Sequence, residues 1–395
     1  MSELDRLIAE LCPDGVDYLT IGDVCDITRG RVMSKDYLRD NVGEYPVYSS
    51  QTANSGIFGY ISTFDYDCES VTWTTDGANA GSVFYHIDKK FSITNVCGLL
   101  KAKNSEQASM KFLYYALQIA AKGYVNDGMG NPKLMSNVMA RVVIPLPPLP
   151  VQREIVRILD NFTELTAELT AELTARKKQY EYYKNHLLTF GDDVPMVQLS
   201  YCCASIADGD HQAPPKTENG IPFITISNVS DSNKIDFTNT RFVPEVYYDN
   251  LDDKRKACPY DILYTVVGSF GIPVFINNDK KFAFQRHIAI LRPNQEIIIS
   301  KYLYHALQSC AFTKQADAVA VGAAQRTITL TALNKMKVPL PSLEEQSRIV
   351  EILDKFDTLT TDITAGLPAE IEARRKQYEY YRDKLLTFER KETEA

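Results

Sequence analysis

The stretch IPLPPLPVQREIVRILDNFTEL, Ile144 to Leu165, returns as VPLPSLEEQSRIVEILDKFDTL, Val338 to Leu359, at a constant offset of 194 residues. Further on, the octet RKKQYEYY, Arg176 to Tyr183, returns as RRKQYEYY, Arg374 to Tyr381, at an offset of 198, so the second copy holds four more residues between its matched ends. The similarity thins but persists outside these segments. KFLYYALQ (Lys111 to Gln118) answers KYLYHALQ (Lys301 to Gln308), each after an apolar run, CGLLKA and IAILRP. VDYLTIGDV near the start answers PMVQLSYCC after the first octet. A repeat this long is a duplicated domain, far larger than a solenoid unit. The chain therefore divides into a diverged region (1–145), a repeated helical region (146–190), a second diverged region (191–340) and a second helical region (341–395).

The repeated regions carry helical periodicity. In the first, Ile155, Ile158, Phe162, Leu165, Leu169, Leu173, Tyr180, Tyr183 and Leu187 recur at intervals of three, four or seven, the spacing of one helix face. A helix from about Pro150 to Phe190 follows, beginning after a proline-rich lead-in that cannot be helix interior. Its TELTAELTAELTA segment repeats a four-residue unit, a stutter against the heptad that makes it a spacer of adjustable length. In the second copy Ile349, Ile352, Phe356, Leu359, Ile363, Leu367, Ile371, Tyr378, Tyr381 and Leu385 continue the pattern, but AGLP at 365–368 predicts a break or kink with a restart at Pro368. The extra four residues, close to one turn, would move the helix end without turning its buried face far. Two such stripes most simply cover each other as an antiparallel coiled coil. Each diverged region shows short β-rich runs (ESVTWTT, NVCGLLKA, IPFITIS, DILYTVV, HIAILRP) and one clear helix. The expected fold is α+β: two mixed α/β domains separated by two long helices, with a pseudo-two-fold internal duplication.

Composition sets the class. At 395 residues, 45% hydrophobic and 24% charged, the chain is globular and long enough for two cores. No apolar run suits a bilayer, and MSELDRLIAELCPDG is no secretory signal, so a cytoplasmic location without membrane contact is expected. The eight cysteines show no metal-ligand spacing and read as free thiols, with Cys202 and Cys203 packed at a strand edge. A net charge of −8 argues against a protein that coats nucleic acid indiscriminately, so any nucleic-acid role must be confined to patches.

Catalytic signatures are missing. There is no GxxxxGK[ST], HExxH or GxSxG, and GMGNPK at 128–133 reads as a loop. The histidines at 86, 186, 211, 287 and 305 are isolated from one another. Binding outranks catalysis, and neither a catalytic residue nor a metal site is assigned. The alternatives are an enzyme, a fused methyltransferase or nuclease protein, and a non-catalytic two-headed scaffold that binds other proteins.

Two copies of a PLPxLxxQxxIVxILDxF helix, each leading to an octet ending in KQYEYY and preceded by a diverged domain, resemble the specificity subunit of type I restriction-modification enzymes. The resemblance implies two target recognition domains, each reading one half of a bipartite, asymmetric sequence in double-stranded DNA. It implies helices that set the spacing and dock two DNA adenine methyltransferase (modification) subunits, with restriction/translocase subunits joining the complex. S-adenosylmethionine, ATP and Mg then belong to partner subunits, and this chain carries no cofactor.

Base readout requires Arg or Lys for guanine and Asn or Gln for adenine on loops that reach the major groove. In the first domain the candidates are Arg29 and Arg31 in TRGRVMSKD, Gln51 and Asn54 in SSQTANSG, Asn79 in DGANAG, and Asn131 and Lys133 in GMGNPK. In the second they are His211 and Gln212 in DGDHQAPPK, Asn228, Gln285 and Arg286 in AFQRHIA, and Gln325 and Arg326 in VGAAQRTIT. GMGNPK and VGAAQRTIT occupy corresponding places. Each of these residues could equally be a solvated turn residue, Asn54 and Asn228 most of all. Lys35 and Lys216 suit phosphate contacts. For partner docking the octets offer Arg176, Lys177, Lys178 and Tyr182, and Arg374, Arg375, Lys376 and Tyr380, while Tyr180 and Tyr183 belong to the helix seam. The plain alternative for the octet bases is a solvated helix face.

Overall fold

The computed structural model describes residues 2–87, 90–209, 214–230, 232–323, 325–361 and 365–392. Two compact units are present. The first is Met1–Glu168 with Glu372–Ala395, and the second is Leu169–Ile371. Each thus combines a diverged region, the opening half of the helix that follows it, and the closing part of the other copy's helix.

The two units share one topology. In the first, a four-stranded sheet runs in the order Cys25–Arg29, Cys97–Ala102, Ser70–Thr74, Val83–His86. In the second, the order Cys203–Asp208, Ile288–Pro293, Ile262–Thr265, Pro273–Phe275 is the same arrangement. A second sheet in each contains one parallel pair: Tyr45–Tyr48 with Lys90–Ile93, and Ile221–Ile224 with Ala283–Phe284. A two-stranded ribbon joins the domain start to its end, Asp17–Thr20 with Val143–Leu146 and Met196–Gln198 with Lys337–Pro339. The inner strands Ser70–Thr74 and Ile262–Thr265 are buried along their whole length, so they read as continuous apolar and Thr runs rather than as alternation. Trp73 is fully buried and donates its indole N–H to the Leu134 carbonyl at 2.9 Å. Its neighbour Gly98 must lack a side chain, since a Cβ there would lie 2.1 Å from the Trp73 ring.

The helix expected in each diverged region is continuous in the first unit, Met110–Ala120, with Ser109 capping Phe112 N–H. In the second it is divided into Ser300–Ala306 and Cys310–Val319. The division has a local cause: Ser309 accepts from Phe312 N–H at 3.2 Å and starts a new helix.

The first repeated helix runs Leu149–Leu187, 39 residues, or about 58 Å at ~1.5 Å per residue. Pro150 stands in its first turn, where no backbone donor is required. The second is interrupted as the AGLP signal predicts, with helices at Leu343–Thr361 and Leu367–Leu385. The restart comes one residue before Pro368, and Gly366 O accepts from Ala369 N–H and Glu370 N–H. The four extra residues fall at this interruption rather than adding a turn to an unbroken helix. Ile363 lies outside the described residues.

One contact recurs in both units. Phe162 stacks on Tyr381 in the first, with ring centroids 5.5 Å apart. Phe356 stacks on Tyr183 in the second, also at 5.5 Å, and on Tyr180 at 6.1 Å. The phenylalanines are related by the 194 offset and the paired tyrosines by the 198 offset, so the same reciprocal contact between the repeats is made once within each unit. The spacer leucines contribute less than their periodicity suggests, for Leu165 remains 36% exposed.

Candidate nucleic-acid interface

Backbone hydrogen bonds match the two units residue by residue around one group of loops. Leu134 N–H donates to Thr75 O at 2.9 Å and Ile328 N–H to Val266 O at 2.8 Å. Gly77 N–H donates to Pro132 O and Gly268 N–H to Arg326 O. Lys133 bridges Asp76 and Asn126, as Thr327 bridges Val267 and Val321. GMGNPK and VGAAQRTIT therefore do occupy corresponding places. The register is specific: Gln325 answers Asn131, whereas Arg326 answers Pro132 and Thr327 answers Lys133. The loop opposite begins at Gly77 and Gly268, with φ of +95° and +74°, backbone that glycine adopts without strain.

A third segment joins this group. Thr94 N–H donates to Tyr48 O, and Gln285 N–H to Ile224 O. Cys97 N–H returns to Thr94 O, and Ile288 N–H to Gln285 O. These two turns are held from below by glycine: a Cβ on Gly30 would sit 2.0 Å from Ile93 O, and one on Gly209 2.1 Å from Phe284 O. In the second unit Asp208, Arg286, His287, Gln325 and Thr327 line a cleft of about 300 Å³. Burial, and then the Arg286 charge, push the His287 imidazolium toward its neutral form.

The remaining candidates are dispersed. Arg29 donates to the Asn95 carbonyl at 2.6 Å. Arg31 is bonded to Asp65 at 3.0 Å and to Tyr37 Oη at 3.1 Å. Lys35 is the exposed first residue of the helix Lys35–Asp40. Gln51 donates to Ile57 O, and Asn54 takes left-handed backbone with φ of +50°. Asn79 is exposed, and its carbonyl accepts from Ser82 N–H. Asn131 donates to Asp76 at 2.7 Å, and the Lys133 side chain is exposed. Lys216 is exposed and Gln285 half-buried. Arg326 bonds Asp317 and lies 5.0 Å from the Phe270 ring centre. His211 and Gln212 lie outside the described residues. Asn228 is a buried strut: it accepts from Thr225 N–H and donates to Asp236 O and Asn239 O.

Sequence reasoning missed Asn95, Asp76 and His287. The signal was present, because CGLLKA and IAILRP correspond at an offset of 191, and extending that match backwards sets Asn95 against Arg286.

On the octets, Arg176 pairs with Glu172 at 3.0 Å, Arg375 with Glu372 at 3.0 Å and Lys376 with Glu372 at 3.6 Å. Arg374 donates to Gln377. Lys177 and Lys178 are exposed. Tyr180 is buried, whereas Tyr182 and Tyr380 are 64% and 62% exposed at corresponding positions. Cys202 and Cys203 are buried where a short helix meets a strand. Among the described residues, no helix is long and apolar enough to cross a membrane.

Comparison with known proteins agrees with this duplicated architecture. The family described as the type I restriction modification DNA specificity domain matches twice, over residues 13–176 and 210–373. A putative type I specificity subunit of Mycoplasma pneumoniae is 32% identical over 374 residues, 93% of this chain and 96% of the relative. An Escherichia coli type I restriction enzyme specificity subunit is 36% identical over 307 residues, 72% of each chain. The crystal structure of a type I restriction-modification S subunit from M. genitalium shares the fold, with a TM-score of 0.57 at 18% identity over 94% of this chain and 96% of that one. Two matches to the family's domain and a relative aligned over nearly its whole length place this chain in the type I restriction-modification specificity-subunit family.

Proposed function

We propose that this chain is the sequence reader of a type I restriction-modification complex, each unit reading one half of a bipartite, asymmetric target in double-stranded DNA. The observation that carries this reading is the repeated loop framework: one set of backbone hydrogen bonds, built twice, carries Asn95 and Asn131 in one unit and Arg286 and Gln325 in the other. A scaffold that keeps its backbone while exchanging one amide for a guanidinium suits two half-sites of different sequence. Lys35, Lys133 and Lys216 supply charge for phosphates.

The repeated helices would set the gap between half-sites and dock two adenine methyltransferase subunits. Tyr182 and Tyr380 support that docking role, because a large aromatic left exposed at the same place in both copies is what an interface core requires. Lys177 and Lys178, Arg374, Arg375 and Lys376 would rim those two surfaces. Methylation with S-adenosylmethionine, and ATP- and Mg-dependent translocation and cleavage, would reside on partner subunits in the cytoplasm.

The test is to reconstitute the chain with its methyltransferase subunits and map methylated adenines across a genome. A split motif with two unlike halves is expected. A palindromic motif, or methylation without sequence preference, would refute the reading.

A further inference from the structure

We infer that one backbone position, filled by Arg286 in the second unit and Asn95 in the first, determines a base in each half-site: guanine through Arg286 and adenine through Asn95. The inference rests on the DNA-reading role proposed above and assigns bases to particular side chains within it.

Three observations converge on this position. The first is rigidity. Each turn is tied to the neighbouring strand (Gln285 N–H to Ile224 O at 3.0 Å, Thr94 N–H to Tyr48 O at 2.9 Å) and closed by its own hydrogen bond of 3.1 or 3.0 Å. Gly209 and Gly30 pack beneath at distances that leave no room for a Cβ. A reading residue needs such a base, because a side chain on a moving loop loses discrimination to its own disorder.

The second is availability. In the second unit, Arg326 is bonded to Asp317, Arg255 lies 3.5 Å from Asp208, and Arg292 is held by Asp261 at 2.8 Å. Arg286 is exposed, and among the described residues its guanidinium has no hydrogen-bond or ion-pair partner. In the first unit Arg29 donates to the Asn95 carbonyl at 2.6 Å. That contact braces the turn and leaves the exposed Asn95 carboxamide to project. Arg29 is thus a positioning residue, and Arg31, paired with Asp65, is not a reader.

The third is chemistry. A guanidinium fork matches O6 and N7 of guanine, while a carboxamide matches N6 and N7 of adenine. The exchange of Asn95 for Arg286 on one scaffold is the exchange that converts one preference into the other. Gln325, a carboxamide, lines the same cleft as Arg286 and suits an adenine nearby, whereas Asn131 in the first unit is bonded to Asp76.

The experiment maps methylated motifs for the reconstituted complex carrying Arg286→Ala, Arg286→Lys or Arg286→Asn. With Arg286→Ala, one position of one half-site should relax by roughly 5- to 150-fold, and with Arg286→Lys, which keeps a donor but not the fork, guanine should stay preferred more weakly there, with the other half-site and the gap unchanged. With Arg286→Asn, the preference there should move from guanine toward adenine. Asn95→Arg should move the first half-site the opposite way. A wild-type split motif that these variants leave intact, or an equal loss of methylation at every site, overturns the assignment and leaves Arg286 a phosphate contact. A wild-type complex with no split motif removes the parent reading, and this one with it.

Discussion

At the scale of single residues, the glutamine of the repeated PLPxLxxQ motif has a clear physical task. Gln152 is fully buried. Its carbonyl accepts from Ser109 N–H at 2.9 Å, and its amide donates to Gln107 O at 2.8 Å and Pro147 O at 2.7 Å. Gln346 repeats the set with Ile299 N–H, Ile297 O and Pro341 O. One carboxamide therefore satisfies three backbone groups from two segments and fixes the helix start against its domain. No other side chain of this length offers both an acceptor and two donors. Leucine at 152 would leave these groups unpaired away from water, at about 1–3 kcal/mol each before relaxation, so Gln152→Leu should lower stability by roughly 2–4 kcal/mol in urea denaturation. Gln152→Glu, nearly isosteric, should be at least as damaging at neutral pH, because a carboxylate would face two carbonyl oxygens with no proton to donate. A Glu variant as stable as wild type would refute this account. The motif was visible as a repeat, but its reason was not, since the partners lie 43 and 45 residues away.

At the scale of elements, the helix Leu149–Leu187 is legible almost to its ends, because its period, proline lead-in and basic last turn agree. The threonines of the spacer, unfavourable for a helix in isolation, are accommodated by donating to the carbonyl four residues back: Thr163 to Leu159, Thr166 to Phe162 and Thr174 to Thr170. With its leucines only partly covered, this segment holds length rather than core. Deleting Thr170 to Leu173 removes ~6 Å of helix while preserving the register of the stripe to within a few tens of degrees. Methylome mapping of that variant should show the gap between half-sites reduced by about one to two base pairs at ~3.4 Å each, with both half-sites unchanged. Altered half-sites with a constant gap would contradict the spacer role. The loops were much less legible. Arg31 and Arg326 carry the residue type for base readout, yet each is held by a carboxylate, 34 and nine residues away, and neither spacing is a pattern that announces such a partner.

At the scale of the whole molecule, the unit boundaries cross the chain in an unequal way. The second unit is one contiguous stretch, Leu169–Ile371, whereas the first is completed only when residues 372–395 return to it. That return is substantive. Leu386 is buried in the first unit's core, with Tyr378, Leu385 and Phe388 packed against it. Tyr378 Oη donates to Gln118 at 3.0 Å and Tyr18 Oη to Phe388 O at 2.8 Å. Val16 N–H donates to Glu389 O and Lys391 N–H to Val16 O, pinning the last segment beside the first strand. Fully burying a large apolar side chain is worth about 1.5–3 kcal/mol and half-burying it less, so losing Leu386 and the three half-buried side chains together removes an amount approaching the lower end of a domain's net stability, ~5–15 kcal/mol. A chain ending at Ile371 should therefore keep the second unit folded while the first opens. Hydrogen exchange offers the direct measurement. Amides of Cys97–Ala102 and Met110–Ala120 should lose protection by several orders of magnitude, while those of Ile262–Thr265 and Ile288–Pro293 stay as protected as in the full chain. Equal loss in both units, or none in the first, would show that the closing segment is not what completes the first unit's core.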